Sequence, residues 1–134
     1  MRYLADTHIV LWYLNGDEKL PNKPRELIDD DKNEIFFSLA SMWEIEIKHI
    51  SHPDLMKNSG YEILSKCKEH SFSILELNEN HIRNLHTLYR AENAPKHNDP
   101  FDRMLLAQAK SENMIFVTHD SLIPYYNESC ILSV

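Results

Sequence analysis

Residues 2–14 read RYLADTHIVLWYL, and this stretch decides the fold class. Residues 2–6 form a short apolar run that ends on an acid, which is typical of a buried strand. Asp6 or Thr7 can cap the helix predicted over residues 8–14. A strand that passes directly into a helix indicates an α/β protein. A carboxylate that continues a buried strand is costly unless its charge is compensated, so Asp6 is the first candidate functional residue.

The same alternation of apolar runs and amphipathic segments recurs along the chain. Further predicted strands cover residues 34–39, 72–75, 114–118 and 131–134. Further predicted helices cover residues 24–31, 41–50, 60–70, 78–88 and 99–113. Strands separated by helices predict a central parallel sheet with helices on both faces, whereas the strand order cannot be read from the sequence. Because 134 residues is the usual size of one domain, we expect one domain over residues 1–134.

Apolar residues at helical spacing predict which helix faces are buried. Trp43, Ile47 and Ile50 share one face of the helix over 41–50, so this face is predicted to pack in the core. The same spacing predicts an inward face for three residues of a later helix, Ile82, Leu85 and Leu88.

Three aromatic residues allow two interpretations. Trp12, Tyr13 and Trp43 could stack on bases, as aromatic side chains do in proteins that bind single-stranded nucleic acid. Their spacing beside leucine and isoleucine instead favours a place in the core or in a subunit interface.

The composition restricts the possible partners. The net charge of −7 argues against broad electrostatic binding of nucleic acid, but not against a nuclease whose carboxylates are neutralised by metal ions. No apolar run approaches the roughly 20 residues that span a bilayer, and no signal peptide is recognised, so a cytoplasmic protein without membrane contact is expected. Cys67 and Cys130 are interpreted as reduced thiols in or near the core.

Carboxylates stand at the ends of several predicted elements. They are Asp6 and Asp120 after strands, and Glu44, Asp99 and Asp102 in the first turns of helices. Because ligand sites of parallel sheets lie beyond the carboxyl ends of the strands, these acids can meet. Hard oxygen ligands without cysteine suit Mg²⁺ or Mn²⁺. Each acid also has a structural explanation as a helix cap or a turn residue. For Glu44, this is a capping box with Ser41, which is predicted to open the helix, or an ion pair with Lys48.

Histidines accompany these acids. His8, His97 and His119 each lie within two residues of a candidate acid, which would suit a transition metal held partly by imidazole. Adjacent residues at a strand end usually point apart, which argues against this interpretation. His97 could instead contact a phosphate or a side chain of a partner protein.

Four segments together resemble the PIN-domain ribonucleases, in particular the VapC-like toxins of bacterial toxin–antitoxin pairs. The segments are YLADTHIVLWYL, FFSLASMWEIEIKH, HNDPFDRMLLAQA and IFVTHD. They occur in the order typical of that family and extend across almost the whole chain. The segment after Glu44, EIKHISHPDL, departs from the family pattern, which often has a glycine-containing turn there.

The resemblance implies a three-layer α/β/α domain with acids gathered at one end of a parallel sheet. It implies that the metal-binding and catalytic acids are Asp6, Glu44, Asp102 and Asp120. Thr7 and Thr118 resemble supporting polar residues, and Asp99 is either a further acid of the site or a helix cap. Arg103 could contact the substrate phosphate or pair with an acid.

The resulting hypothesis is a Mg²⁺- or Mn²⁺-dependent endoribonuclease, the toxin of a toxin–antitoxin pair. The implied partners are RNA, a cognate antitoxin and a second copy of the chain in a homodimer, for which the apolar N-terminal helix is a plausible surface. One alternative is a catalytically inactive PIN-like regulatory or binding module. Another is a metal-dependent phosphatase, but no matching motif with a nucleophilic aspartate follows Asp6.

Overall fold

The computed structural model describes residues 1–134 and shows a five-stranded sheet flanked by helices. The strands are β1 Arg2–Ala5, β2 Glu34–Ser38, β3 Ser73–Leu75, β4 Ile115–Thr118 and β5 Ile131–Ser133. The α-helices are α1 Thr7–Asn15, α2 Asn22–Asp29, α3 Leu39–Ser51, α4 Gly60–Glu69, α5 Glu79–Arg83 and α6 Pro100–Glu112. Short 3₁₀ helices cover Asn84–Thr87 and Ile123–Tyr125. No helix is both long enough and apolar enough to cross a membrane.

The sheet is entirely parallel and has the order β3-β2-β1-β4-β5. The chain builds outward from β1 to β3 on one side and then returns to add β4 and β5 on the other. The order therefore reverses between β1 and β4, and ligand sites of open parallel sheets form at such a reversal, beyond the carboxyl ends of the strands. Asp6 and Thr118 lie at this position, and the predicted parallel α/β architecture is confirmed.

Alternate residues of each strand enter two different cores, as the two-residue period of a strand requires. In β1, Tyr3 and Ala5 belong to one cluster and Leu4 to the other. Helices α1 and α4 pack on the first cluster, while α6 covers the second with Leu105, Leu106 and Ala109. Because each face has its own apolar cluster, the domain has three layers, α/β/α.

Helix α3 differs from the sequence-based prediction in its start and in its buried face. It begins at Leu39, and its N-cap is Ser38, whose side chain accepts a hydrogen bond from the Ala40 amide. The predicted capping box between Ser41 and Glu44 is therefore wrong, because both lie beyond the cap and are buried.

The face of α3 predicted to be buried is exposed. Trp43 is 59% exposed, Ile47 41% and Ile50 74%, so their assignment to the core is wrong. Ile45 takes that place with 0% exposure. The helix is turned so that Ser41 and Glu44 face the interior beside Ile45, and Trp43, Ile47 and Ile50 consequently face outward.

The segment after Asn78 is also less regular than predicted. Asn78 is the N-cap of α5, which has only five residues and continues as a 3₁₀ helix. Ile82 is 52% exposed, whereas Leu85 and Leu88 are half-buried. The tighter 3₁₀ turn changes the angle between successive side chains, so a face drawn at α-helical spacing does not persist through the segment.

The two cysteines match their interpretation as unpaired thiols. Cys67 is buried in the first cluster, and Cys130 is half-buried beside the second. Burial raises the pKa of the Cys67 thiol to about 12, so this thiol stays protonated and unreactive at neutral pH.

Candidate active site

Asp6 is a buried acid at the junction of β1 and α1. It is 3% exposed, and its amide extends the sheet by donating to the Val117 carbonyl at 2.9 Å. Its Oδ1 accepts from the Thr7 amide at 2.7 Å, and its Oδ2 accepts from the Thr118 hydroxyl at 2.7 Å. Burial raises the pKa of Asp6, although these two hydrogen bonds act in the opposite direction. The carboxyl group is therefore held in one orientation at the reversal point of the sheet.

Glu44 reaches the same region from α3 and is also 3% exposed. The Thr7 Oγ1 lies 2.8 Å from Glu44 Oε1 and 2.8 Å from Ser41 Oγ. An ionised carboxylate can only accept, so the single Thr7 proton is donated to Glu44, and Ser41 donates its own proton to Thr7. The Glu44 Oε2 accepts from Lys48 at 2.9 Å, which is the ion pair considered from the sequence.

Asp102 lies in the first turn of α6 and is 8% exposed. Asp99 is the N-cap of this helix, because its Oδ1 accepts from the amides of Phe101 and Asp102 at 2.8 and 3.1 Å. Of the two roles predicted for Asp99, the helix cap is therefore the one seen here. Its carboxylate nevertheless lies close enough to act electrostatically on Asp102.

Thr118 and Asp120 bring a further acid to the end of β4. The Thr118 hydroxyl donates to Asp6 and accepts from the Asp120 amide at 3.1 Å, so one buried hydroxyl links both segments. Asp120 is half-buried, and its Oδ1 accepts from the Leu122 amide at 2.8 Å. The turn after β4 thereby directs Asp120 toward Asp102.

His97 joins this group of acids and was not among the predicted metal ligands or supporting residues. Its side chain is 2% exposed, its Nε2 lies 3.3 Å from Asp102 Oδ2, and its Nδ1 lies 2.8 Å from the Tyr126 hydroxyl. Burial lowers the pKa of His97 and favours the neutral imidazole. Ligand atoms of His97, Asp102 and Asp120 all lie within 4.8 Å of one another, which is compatible with one shared cation.

Burial and the neighbouring acids act together on Asp102. Burial, followed by the charges of Asp6, Asp99 and Asp120, raises its pKa to about 9. The charge of Glu44 in turn raises the pKa of Asp6, so the electrostatic effects connect all four candidate acids. Only Asp102 and Asp120 are close enough to share an ion with His97 directly. Such packing of carboxyls favours either a retained proton or a bound cation.

Of the two roles considered from the sequence for Arg103, pairing with an acid is not seen, and contact with the substrate phosphate stays a prediction. Arg103 makes no ion pair with an acid, and its Nη2 lies 3.5 Å from the Leu85 carbonyl. Its Nε is buried and has no hydrogen-bond partner. In this structure, Arg103 therefore contacts the segment after α5, and its guanidinium lies near His97 and Tyr126.

The neighbouring histidines occupy the mouth of the site. His8 and His119 are exposed and, together with Asp6, Asp120 and Trp12, they line an open cleft of about 250 Å³. Neither belongs to the group that could share one cation, which contains His97 alone among the histidines. The cleft gives solvent and solutes access to Asp6 and Asp120.

Sequence reasoning considered His97 without separating it from His8 and His119, and it gave Ser41 the wrong role. His97 stands two residues before Asp99 in HNDPFDR, so the motif itself carried the signal, but the path of the preceding loop could not be inferred. Ser41 was interpreted as a helix cap because the start of α3 was placed too late. The assembled group offers carboxylate oxygens, one neutral imidazole and oriented hydroxyls, which can hold a divalent cation and place water beside a phosphate.

The chain matches a known protein family and has the fold of several solved structures. The family model described as the PIN domain matches residues 3–127 of this chain. None of the curated proteins matches this chain. VapBC2 of Rickettsia felis, solved with a DNA fragment from their promoter, is similar with a TM-score of 0.70 and 16% identity, over 100% of this chain and 99% of that chain.

Two further solved structures have the same fold. A toxin–antitoxin complex from Klebsiella pneumoniae has a TM-score of 0.59 and 16% identity, over 98% of this chain and 96% of that chain. VapBC-1 of nontypeable Haemophilus influenzae has a TM-score of 0.57 and 14% identity, over 90% of this chain and 87% of that chain. At such identities the similarity shows a shared fold, and the three-layer architecture expected from the sequence is confirmed.

Proposed function

Because this chain belongs to the PIN-domain family, we propose that it is a metal-dependent endoribonuclease, the toxin of a toxin–antitoxin pair, and that residues 1–134 act as one nuclease domain in the cytoplasm. A nuclease-type toxin is supported by the family match and by the similar toxin–antitoxin structures. The choice of RNA, of the metal and of the acting residues is the finer part of the proposal.

The main support for this proposal is the group of carboxyls around Asp102. A carboxyl whose pKa is raised to about 9 by burial and by neighbouring acids needs a proton or a cation to offset its environment. The donor set consists of hard oxygens without cysteine, which fits Mg²⁺ or Mn²⁺. We assign metal binding to Asp6, Glu44, Asp102 and Asp120. Of these acids, Asp102 and Asp120 lie close enough to share one ion with the imidazole of His97.

Each residue has a separate task in this proposal. A bound ion would activate water, hold the scissile phosphate and offset charge on the leaving oxygen. Thr118 holds Asp6 Oδ2 by hydrogen bonding, and Thr7 holds Glu44 Oε1. Thr7 also accepts a hydrogen bond from the Ser41 hydroxyl, so both carboxylates are oriented by buried hydroxyls. These contacts fix the ligands before the substrate arrives.

The decisive experiment compares two aspartate-to-asparagine variants. Asp6→Asn should abolish cleavage of RNA in the presence of Mg²⁺ or Mn²⁺ while the protein stays folded. Asp31→Asn changes the same charge at an exposed residue outside the site and should retain wild-type activity. Full activity of Asp6→Asn would overturn the assignment. Absence of metal binding and of RNA cleavage in the wild-type protein would favour the inactive regulatory module instead.

We also propose an antitoxin as the partner of the exposed α3 face. Trp43, Ile47 and Ile50 form an apolar ridge, and Trp43 packs edge-to-face on Phe101 with ring centroids 5.2 Å apart. Phe101 precedes Asp102, so a protein seated on this ridge is positioned to reach the acids. A basic side chain of the antitoxin would offset their charge. Ile50→Glu should reduce co-purification with an antitoxin encoded beside this gene, while unchanged co-purification would place the partner elsewhere.

The homodimer remains a separate proposal. The N-terminal helix α1 was its expected surface, but Ile9 and Val10 are buried within the fold and Leu11, Trp12 and Leu14 are half-buried. Light scattering of the purified chain should give twice its mass of 15.8 kDa. A monomeric mass at micromolar concentration would remove the homodimer from the proposal.

A further inference from the structure

Three rings line the cleft beside Asp6 and Asp120. They belong to His8, Trp12 and His119. The ring centroids of His8 and Trp12 are 5.8 Å apart, and those of Trp12 and His119 are 5.5 Å apart with an interplanar angle of 71°. The indole of Trp12 thus packs against two imidazoles, next to the proposed metal ligands.

Two separate elements position these rings. His8 and Trp12 stand at i and i+4 of α1, so they share one face of that helix. His119 follows β4, and its Nδ1 lies 2.5 Å from the Val134 carbonyl. The start of α1 is itself fixed by Asp6, which is its N-cap. The rings and the acids are therefore held in a constant relation by the same strand ends.

A second cavity adjoins the cleft at Trp12. This cavity has a volume of about 490 Å³ and shares His8 and Trp12 as lining residues with the first. Its lining also includes the exposed Lys57, the half-buried Asn58 and one acidic residue, Asp17. An extended ligand can therefore pass from the acids, across the indole, to a cation and an amide.

Packing in the core explains only in part why residue 12 is a tryptophan. The side chain contacts the first apolar cluster, as leucine or isoleucine would, but it remains half-buried and lines both cavities. The imidazoles of His8 and His119 are exposed and contribute nothing to that cluster. An aliphatic side chain would serve the core equally well, whereas a flat ring beside an open cleft offers a π-face to a solute.

We propose that Trp12, flanked by His8 and His119, is the stacking site for a base of single-stranded RNA next to the bond to be cut, and that the strand continues toward Lys57. This inference rests on the proposed ribonuclease function and adds the form of its substrate. Stacking on an indole tolerates any base, and the bases of a duplex are already stacked and enclosed. RNA is favoured over a protein ligand because the rings border acids suited to phosphodiester chemistry, while the apolar ridge for a protein lies on α3.

The kinetic test compares Trp12→Leu with Trp12→Phe. Trp12→Leu keeps apolar volume and removes the π-face, so KM for a single-stranded oligoribonucleotide should rise about tenfold. Trp12→Phe keeps a π-face and should lie close to the wild-type KM. Tyr61→Leu is the matched control, because Tyr61 is 68% exposed and lies outside both cavities. Thermal unfolding of each variant distinguishes loss of stacking from loss of fold.

A spectroscopic test needs no turnover. The chain has two tryptophans, so Trp43→Phe leaves Trp12 as the only one. In an Asp6→Asn, Trp43→Phe protein with Mg²⁺, a single-stranded oligoribonucleotide should quench the remaining fluorescence, and the corresponding duplex should quench it less. In an Asp6→Asn, Trp12→Phe protein, the fluorescence of Trp43 should stay unchanged upon the same addition.

The outcomes separate this inference from the function on which it rests. An unchanged KM in Trp12→Leu together with no quenching of Trp12 overturns the stacking site, while RNA cleavage by the wild-type protein keeps the nuclease. Quenching of Trp12 without any metal-dependent cleavage supports the RNA-binding cleft and overturns the nuclease. Quenching by the purified antitoxin but not by RNA overturns the stacking site and assigns the cleft to a protein.

Discussion

The Thr118 hydroxyl donates a hydrogen bond to Asp6 Oδ2 at 2.7 Å, and it accepts one from the Asp120 amide at 3.1 Å. Thr118 is fully buried at the end of β4, and Asp6 lies at the end of the neighbouring strand β1. The contact therefore spans the point where the order of the sheet reverses. It ties two of the proposed metal ligands to one side chain that carries no charge.

Replacing Thr118 by valine tests this link, because valine has nearly the same shape and lacks the hydroxyl. The buried Asp6 carboxylate would lose a donor, and we expect the free energy of unfolding to fall by about 1–3 kcal/mol. Affinity for Mn²⁺, measured by titration calorimetry, should fall at least about tenfold because a ligand loses its orientation.

Thr87→Val is the control for this prediction. Thr87 is exposed in the 3₁₀ helix after α5, and its hydroxyl donates to the Asn84 carbonyl away from the acids. Its Mn²⁺ affinity should equal that of the wild-type protein. Equal affinities for Thr118→Val and the wild-type protein would show that the hydroxyl has no part in positioning Asp6.

The raised pKa of Asp102 predicts how stability depends on pH without metal. Asp102 keeps its proton up to about pH 9 in the folded state, whereas in the unfolded chain it loses the proton near its ordinary value of 3.8. Between these values the folded state binds more protons, so the contribution of Asp102 to stability decreases as the pH rises. Asp102→Asn should flatten this dependence in urea unfolding experiments with EDTA.

Addition of a divalent cation should restore the stability that the protein loses when Asp102 is deprotonated. An ion that binds only the folded state at 100 times its dissociation constant stabilises by about 2.7 kcal/mol, so Mn²⁺ should raise the Tm of the wild-type protein at neutral pH. Asp102→Asn should show a much smaller increase. The same increase in both proteins would mean that the ion binds away from Asp102.

The main elements and the acids at their ends could be predicted from the sequence, because strands and helix caps leave local signals. β1 and the cap at Asp6 follow from five consecutive residues. The order of the strands could not be predicted, because pairing depends on contacts between distant segments. The place of His97 depends on a loop without regular structure, and nothing local fixes where such a loop passes.

Helix α3 shows why a hydrophobic pattern can mislead. Its apolar periodicity predicts a buried face at Trp43, Ile47 and Ile50, yet the interior holds Ser41 and Glu44. Sequence-based rules assume that polar residues face solvent, and a site that requires a buried carboxylate breaks this assumption. The exposed apolar side chains and the buried acid are two consequences of the same rotation of the helix.

Two isoleucines of α3 test this rotation. Ile45 is 0% exposed and packs in the first cluster, whereas Ile50 is 74% exposed. Ile45→Ala should lower the free energy of unfolding by about 2–5 kcal/mol, as for other large-to-small core changes. Ile50→Ala should change it by no more than about 0.5 kcal/mol in the isolated chain, measured by urea unfolding. Equal losses would contradict the orientation of α3.

Gly60 tests the close approach of α4 to α3. A Cβ atom at Gly60 would lie 2.4 Å from the Met42 carbonyl oxygen and 3.2 Å from the Glu46 Cβ. A backbone carbonyl cannot rotate away, so Gly60→Ala must displace the start of α4 from α3, and we expect a loss of about 1–3 kcal/mol in urea unfolding. Removing the Met42 side chain leaves this carbonyl in place, so Gly60→Ala should be as destabilising in a Met42→Ala background. Recovery of stability in that double variant would show that the side chain, and not the backbone, limits the approach of the two helices.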